Sequence, residues 1–317
     1  MDVLEKVIAI IGPTAVGKTK LSLELAKRFN GEIINGDSMQ IYRGLDIGTA
    51  KIKKEEMLGI PHHLFDIKEP EDSFSVYEFQ KLVREKIHEI SERNHLPFIV
   101  GGTGLYIQSV LYDYQFQETG RDNALRERFM KRVEQEGIAS LYEELKQIDP
   151  DYAEKIHPNN ERRVIRALEI FYTTGITMTD TIKRQQKDMV YDAVLIGLTM
   201  ERDLLYRRID ERVDKMLEEG LLEEVKGLYE KGLESSQAAQ AIGYKELFLY
   251  FKGELSLEEA VLLLKQNTRR FAKRQLTWFR NKMDVHWFDM SDEGQYEKKI
   301  EEISHFLAGK LDSLSNT

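Results

Sequence analysis

Apolar residues follow two rhythms along this chain. Short unbroken runs stand at Val7-Ile8-Ala9-Ile10-Ile11, Glu32-Ile-Ile-Asn35, Phe98-Ile-Val100, Ala193-Val-Leu-Ile196 and Val285-His-Trp-Phe288. Runs this short and rich in β-branched residues predict strands. Elsewhere apolar positions recur every three or four residues, as at Leu21, Leu25 and Phe29, which predicts helices. Few strands, widely spaced with helices between them, predict an α/β fold with a parallel sheet. The stretch 101–192 is too long for one crossover. Its interior repeats helically at Leu125, Phe129 and Val133, at Leu141 and Leu145, and at Val164, Leu168 and Phe171. An all-helical insertion domain is therefore expected over 118–189, bounded by Thr119-Gly120 and the polar run 183–188. The flanking parts, 1–117 and 190–317, are expected to form the α/β core. Residues 201–231 and 256–282 read as long helices packing back on that core, and the chain after about 305 reads as mobile.

Composition narrows the chemistry. A chain of 317 residues has room for an ample core. The absence of Cys excludes disulfides, thiolate metal sites and a thiol nucleophile, and suits a reducing cytoplasm. With acidic residues ahead of a short apolar start and no run long enough for a membrane span, a soluble cytoplasmic protein with no membrane partner is expected. The formal charge of −9 argues against a general nucleic-acid coat. Its distribution matters more: residues 265–282 hold Lys265, Arg269, Arg270, Lys273, Arg274, Arg280 and Lys282 without one acid.

The first strand runs into Gly12-Pro13-Thr14-Ala15-Val16-Gly17-Lys18-Thr19, which fits G-x-x-x-x-G-K-[ST]. A strand entering a helix through glycines aims successive N–H groups at one point, where the helix dipole adds to the field. Lys18 can reach terminal phosphates and the Thr19 hydroxyl can ligate Mg²⁺. Whose phosphates these are, the loop does not say. The second strand ends at Asp37 and the third at Gly101-Gly102-Thr103-Gly104, both at the carboxyl ends where open α/β sheets bind ligands. Asp37 can bind Mg²⁺ through water or accept a proton, although closing an Asx-turn is also in its repertoire. A P-loop motor carries an apolar strand ending in Asp for its metal, and neither Phe98-Ile-Val-Gly-Gly102 nor Ala193-Val-Leu-Ile-Gly-Leu198 ends so. A transferase acting on a phosphorylated small molecule fits better.

Arg208 and Arg212 share one helix face and can clamp a diphosphate, with Asp210, Glu211 and Asp214 as counter-charges. Spacing alone fits a solvated charged face equally well. Arg162, Arg163 and Arg166 open a helix in the insertion and, with the basic stretch 265–282, can contact nucleic-acid phosphates. Phe271, Trp278 and Phe279 mostly read as core. His62-His63 reads as structural or hydrogen-bonding, since adjacent side chains diverge and no third ligand is near.

Taken together, these segments resemble the bacterial tRNA dimethylallyltransferases (tRNA isopentenyltransferases). The resemblance rests on the P-loop 12–19, Asp37-Ser-Met-Gln-Ile-Tyr-Arg43, Asp46-Ile-Gly-Thr-Ala-Lys51, Pro61-His-His-Leu-Phe-Asp66 and Gly101-Gly-Thr-Gly-Leu-Tyr106. It extends through Ile156-His-Pro-Asn159, Arg163 to Glu169, Ile242-Gly-Tyr-Lys245 and Arg274-Gln-Leu-Thr-Trp278, in the family's order. Ile52 stands where proline is common, and Met39-Gln40 replace residues many members carry. The family's eukaryotic members append a zinc finger, which a chain without Cys cannot form.

The resemblance implies transfer of a dimethylallyl group from dimethylallyl diphosphate to N6 of the adenosine 3′ of the anticodon, with Mg²⁺ on Thr19. It implies Asp37 as general base, with Thr103 and Lys18 completing the catalytic set. The diphosphate falls to Gly12, Pro13, Thr14, Ala15, Val16, Gly17, Lys18, Thr19, Arg208 and Arg212. The tRNA anticodon stem-loop falls to Asp37, Ser38, Met39, Gln40, Thr103, Arg126, Arg162, Arg163, Arg166, Gly243, Tyr244 and Lys245, with the enzyme working as a monomer. Two rivals use the same residues: a P-loop small-molecule kinase using ATP, and a non-catalytic RNA-binding module with a relic phosphate site.

Overall fold

Residue parity along the first strand decides how the molecule is layered. In β1 (Lys6–Ile11), Val7, Ala9 and Ile11 enter one apolar cluster, while Ile8 and Ile10 enter another on the opposite face. A strand with both faces buried carries no polar alternation, which is why its sequence is one apolar run. In the computed structural model, which describes residues 4–114, 116, 123–185 and 188–314, six parallel strands form one sheet. The others are β2 (Gly31–Asn35), β3 (His62–His63), β4 (Leu96–Gly101), β5 (Asp192–Thr199) and β6 (His286–Asp289). Their order is β3-β2-β4-β1-β5-β6. The chain leaves β1 toward β2 on one side and later crosses to β5 on the other. The carboxyl ends of β2, β4 and β1 thus stand side by side, where a doubly wound sheet opens its crevice.

On one face, the helix Val76–Glu92 buries Phe79, Val83, Ile87 and Ile90. Its start is set by a reciprocal cap: Ser75 Oγ accepts from Glu78 N at 3.1 Å and the Glu78 carboxylate accepts from Ser75 N at 2.9 Å. On the other face, the helix Lys18–Arg28 packs Leu21 and Leu25 beside Ile300, Ile303 and Leu307 of the helix Tyr296–Leu314. The expectation of a mobile stretch after about 305 is thereby corrected through residue 314. Leu307 is fully buried, because the apolar spacing Ile300, Ile303, Leu307 continues the preceding stripe into the core.

Two further expectations change. The edge strand β3 was unforeseen, because two residues paired to Ile33 and Ile34 carry too short a pattern to read. The helix anticipated over 201–231 is two, Arg202–Glu218 and Leu221–Glu230, broken where Gly220 adopts φ +102. The stretch 256–282 is one helix, Leu257–Lys282.

The chain divides into two compact units, residues 1–112 with 189–317 and residues 113–188. The second is helical and has its own core, including Phe129, Leu141, Leu145, Val164 and Leu168. The anticipated boundary at 118 and Thr119-Gly120, with part of the run 183–188, lies outside the described residues. No described helix is long and apolar enough to cross a membrane.

Toward the amino end of β2 lies a charged cluster away from the crevice. Glu32, only 3% exposed, accepts from Arg93 Nη2 at 2.9 Å and pairs with His63 Nε2 and His95 Nδ1 at 2.6 Å each. This is the hydrogen-bonding role expected for His63; His62 Nδ1 likewise bonds Ile60 O at 2.7 Å. Burial alone would raise the Glu32 carboxyl, but the bonds from Arg93, His63 and His95 outweigh it and hold the value at about 2. A depressed carboxyl adds stability above its ordinary 4.5 and loses it as pH falls toward about 2. Glu32→Gln should therefore cost about 2–3 kcal/mol at neutral pH. In denaturant titrations the gap to wild type should narrow steadily below 4.5; a gap independent of pH would remove the ion-pair explanation.

Candidate active site

Close backbone approach assembles the crevice. Gly36 N donates to Val100 O at 2.8 Å, so the end of β2 lies against β4. A Cβ on Gly101 would come within 2.2 Å of the Gly36 backbone, which leaves room only for glycine. At the end of β1, Gly12 has φ +150 and a Cβ there would meet Leu198 O at 2.6 Å. These contacts bring the loops after β1, β2 and β4 to one place.

Two cavities meet there. One, of about 470 Å³, is lined by the phosphate-type loop, including Thr14, Ala15, Gly17, Lys18 and Thr19, and by Gln40, Arg208 and Gln275. The other, of about 290 Å³, is lined by Ser38, Met39, Thr103, Gly243 and Lys245 and by the apolar side chains of Ile209, Val213, Met216, Ile242 and Leu264. Thr14, Asp37, Thr49, Arg212 and Phe271 line both. Asp37 therefore stands at the junction of a polar, cationic chamber and a more apolar one.

Electrostatics at the junction are strained. Lys18 Nζ donates to Gly12 O at 3.1 Å and Pro13 O at 2.7 Å, folded back over its own loop. Burial pushes its ammonium down, the Arg212 guanidinium adds to that, and Asp37 opposes it; the result is about 7. Burial also works against the charge on Arg212, with Asp37 and Glu219 opposing. Two partly buried cations with one nearby carboxylate form a site that gains when an anion arrives.

Asp37 closes an Asx-turn and also faces the chemistry. Its Oδ1 accepts from Met39 N at 2.8 Å, while Asn35 Oδ1 accepts from Asp37 N at 2.9 Å. One carboxylate oxygen orients the group and the other makes no hydrogen bond to the described protein. Thr103 Oγ1 accepts from Ser38 N at 3.1 Å, tying the β4 loop to the β2 loop.

Other expected site residues are placed differently. Tyr244 is fully buried, and its hydroxyl donates to Glu224 Oε1 at 2.5 Å, which corrects its expected role as a tRNA contact. Burial first and the Glu224 carboxylate second raise its phenol beyond physiological reach. The same carboxylate accepts from the N–H groups of Asp46, Ile47 and Gly48 at 2.8–2.9 Å. Tyr244 thus braces the loop carrying Thr49, while its neighbours Gly243 and Lys245 line the cavity. The counter-charges expected for Arg208 and Arg212 are also corrected. Asp210 pairs with Arg269 at 2.5 Å and Asp214 with Lys265 at 2.6 Å, because residues two apart on a helix face different neighbours. Arg208 instead pairs with Glu293. Phe271, expected in the core, lines both cavities; Phe279 is buried as expected.

Arg126, Arg162, Arg163 and Arg166 belong to the helical unit. The helix Glu161–Thr174 starts where Asn160 Oδ1 accepts from Arg163 N at 3.3 Å, and exposes Arg162, Arg163 and Arg166. Glu169, 5% exposed, lies 3.4 Å from Arg166 Nη1 and 3.8 Å from Arg126 Nη1. Glu224 and Gln275 had no foreseeable role, although Gln275 lies within Arg274-Gln-Leu-Thr-Trp278; one polar residue among several on a helix carries no signal of its distant partners.

Known proteins place the chain in a family. Residues 40–282 match the IPP transferase family. The chain belongs to that family. It is 62% identical over 312 residues to the tRNA dimethylallyltransferase of Anoxybacillus flavithermus, covering 98% of this chain and 99% of that one. A tRNA isopentenylpyrophosphate transferase from Bacillus halodurans is 55% identical, with a TM-score of 0.75 over 98% of each chain. A eukaryotic dimethylallyltransferase acting on tRNA is 33% identical, with a TM-score of 0.84 over 98% of this chain and 80% of that one. The resemblance drawn from the motifs is borne out.

An anion at the loop should raise Lys18 from about 7, so inorganic diphosphate should bind with proton uptake above that pH. Calorimetry in buffers of different ionisation enthalpy should show uptake approaching about one proton near pH 8. It should disappear in Lys18→Arg; uptake unchanged by that substitution would assign it elsewhere.

Proposed function

We infer that the chain transfers a dimethylallyl group from dimethylallyl diphosphate to N6 of the adenosine 3′ of the anticodon in tRNA, releasing diphosphate. The observation that carries this reading is the position of Asp37, shared by a cationic chamber and an apolar one, in a member of the IPP transferase family. A small-molecule kinase is not favoured, since the similar curated proteins carry the transferase name.

The diphosphate lies against the backbone of 12–19, apart from the Thr14 N–H, which donates to Gln275 Oε1, with Lys18 and Arg212 facing its charge and Arg208 closing from the side. Thr19 lines the same chamber, and a hydroxyl together with phosphate oxygens suits a hard cation. Bound there, Mg²⁺ would neutralise charge on the leaving group. Asp37 accepts the N6 proton as the bond from N6 to the prenyl carbon forms and the carbon–oxygen bond to diphosphate breaks. Thr103, through Ser38, keeps Asp37 and the acceptor in register. A neutral adenine amine is a poor nucleophile, so alignment and leaving-group stabilisation supply most of the acceleration.

The base reaches Asp37 only when splayed out of the anticodon loop. Ser38, Met39 and Gln40 meet it there. Gly243 and Lys245, which line the more apolar chamber, contact the tRNA there. In the helical unit, Arg126, Arg162, Arg163 and Arg166 supply phosphate contacts to the anticodon arm. A tRNA substrate places the reaction in the cytoplasm, and the enzyme works there as a monomer.

The direct test incubates the protein with dimethylallyl diphosphate, Mg²⁺ and unmodified tRNA, followed by nucleoside digestion and mass analysis. Prenylated adenosine is expected; its absence, with ATP γ-phosphate transferred to a small acceptor, would reverse the assignment. Asp37→Ala should bind tRNA within a few fold of wild type yet transfer at least about 10²-fold more slowly. Full activity in that variant would exclude Asp37 as the base. Lys18→Ala should raise the KM for dimethylallyl diphosphate well above any change in that for tRNA, and equal changes would move Lys18 out of the diphosphate site.

A further inference from the structure

In the helix Leu257–Lys282, one buried amide lying between cations, Gln275, joins the two substrate loops. Gln275 is 4% exposed. Its Oε1 accepts from Thr14 N in the phosphate-type loop at 2.9 Å. Its Nε2 donates to Gly102 O, at the end of β4, at 3.0 Å. A Cβ on Gly102 would stand 2.0 Å from Nε2, so the glycine makes room for this amide. One residue further, Thr103 accepts from Ser38 N beside Asp37.

We propose that Gln275 is a positioning residue that sets the spacing between the donor loop and the acceptor loop, and so holds the prenyl carbon in line with N6. The proposal rests on the transfer reaction inferred above. A primary amide is suited to this place because it offers an acceptor and a donor at once, one for a backbone N–H and one for a carbonyl. A carboxylate matches only the first, and an aliphatic chain neither.

Each loop is also held independently of Gln275. Lys18 bonds to Gly12 O and Pro13 O, and the β4 loop is tied to β2 through Gly36 N–Val100 O and Ser38 N–Thr103 Oγ1. Loss of the amide should leave each half able to bind its own substrate while the spacing of the loop tips, beyond the β1–β4 pairing that ends at Ile11 and Gly101, loosens. Misplacement of about 1 Å in a displacement reaction can cost on the order of 10²-fold in rate. Gln275 also engages the Thr14 N–H, which leaves that donor unavailable to a phosphate.

Steady-state kinetics of the full chain with dimethylallyl diphosphate and unmodified tRNA test this. Gln275→Leu should lower kcat by about 30- to 100-fold while both KM values stay within about threefold. A kcat within about threefold of wild type, or a loss confined to KM, overturns the proposal. Gln275→Glu covers the case in which the Leu variant does not fold. Its carboxylate faces the Gly102 carbonyl until protonated, when it becomes a donor again. The ratio of its kcat to that of wild type should rise as pH falls from about 8 to about 6, whereas a pH-independent ratio overturns the donor role. If the wild-type protein forms no prenylated adenosine, the underlying reading fails; if it does and these variants behave as wild type, only the role of Gln275 fails.

Discussion

Lys18 and Arg212 repel one another, and the fold holds both, partly buried, at the wall of one cavity. Burial and the neighbouring guanidinium leave the Lys18 ammonium at about 7, so the free protein carries an electrostatic cost at its centre. Asp37 relieves part of it. In the proposed reaction a bound diphosphate relieves more, and that difference favours seating the donor. The same carboxylate that tempers the cations also lines the more apolar chamber, so in the proposed reaction one residue links the donor side to the acceptor side.

Rigidity around that centre comes from polar clasps. The Glu224 carboxylate gathers three consecutive N–H groups and the Tyr244 hydroxyl, fixing the loop that carries Thr49. Asn35 binds Asp37 N through its carbonyl and Leu64 O at 3.1 Å through its amide, fixing the end of β2. Gln275 joins the remaining two loops. Buried polar groups of this kind are costly unless fully paired, so each clasp admits few alternative loop positions. Such constraint suits a reaction that depends on alignment.

Legibility in the sequence varied with the range of the interaction concerned. Five of the six strands could be read because a parallel strand buried on both faces needs a continuous apolar run. The edge pair His62–His63 could not, since two polar residues become a strand only by lying against Ile33 and Ile34. The C-terminal helix was misjudged for the opposite reason. Its stripe of Ile300, Ile303 and Leu307 was present, but only packing against the helix Lys18–Arg28 shows that the stripe is covered.

Local order along the chain was enough to place the phosphate-type loop, to put Asp37 and Thr103 at strand ends, and to bring Arg208 and Arg212 onto one helix face, because glycine geometry, strand polarity and helical spacing act over a few residues. Which groups pair across the molecule was decided only in three dimensions. Asp210 turned to Arg269, Tyr244 turned inward to Glu224, Phe271 left the core for the cavity wall, and Gln275 reached two loops more than 170 residues away. Hydrogen bonds and ion pairs depend on angstrom-scale distance, and distances between remote segments are fixed by how the sheet winds and how helices pack upon it, not by any neighbouring residue in the chain.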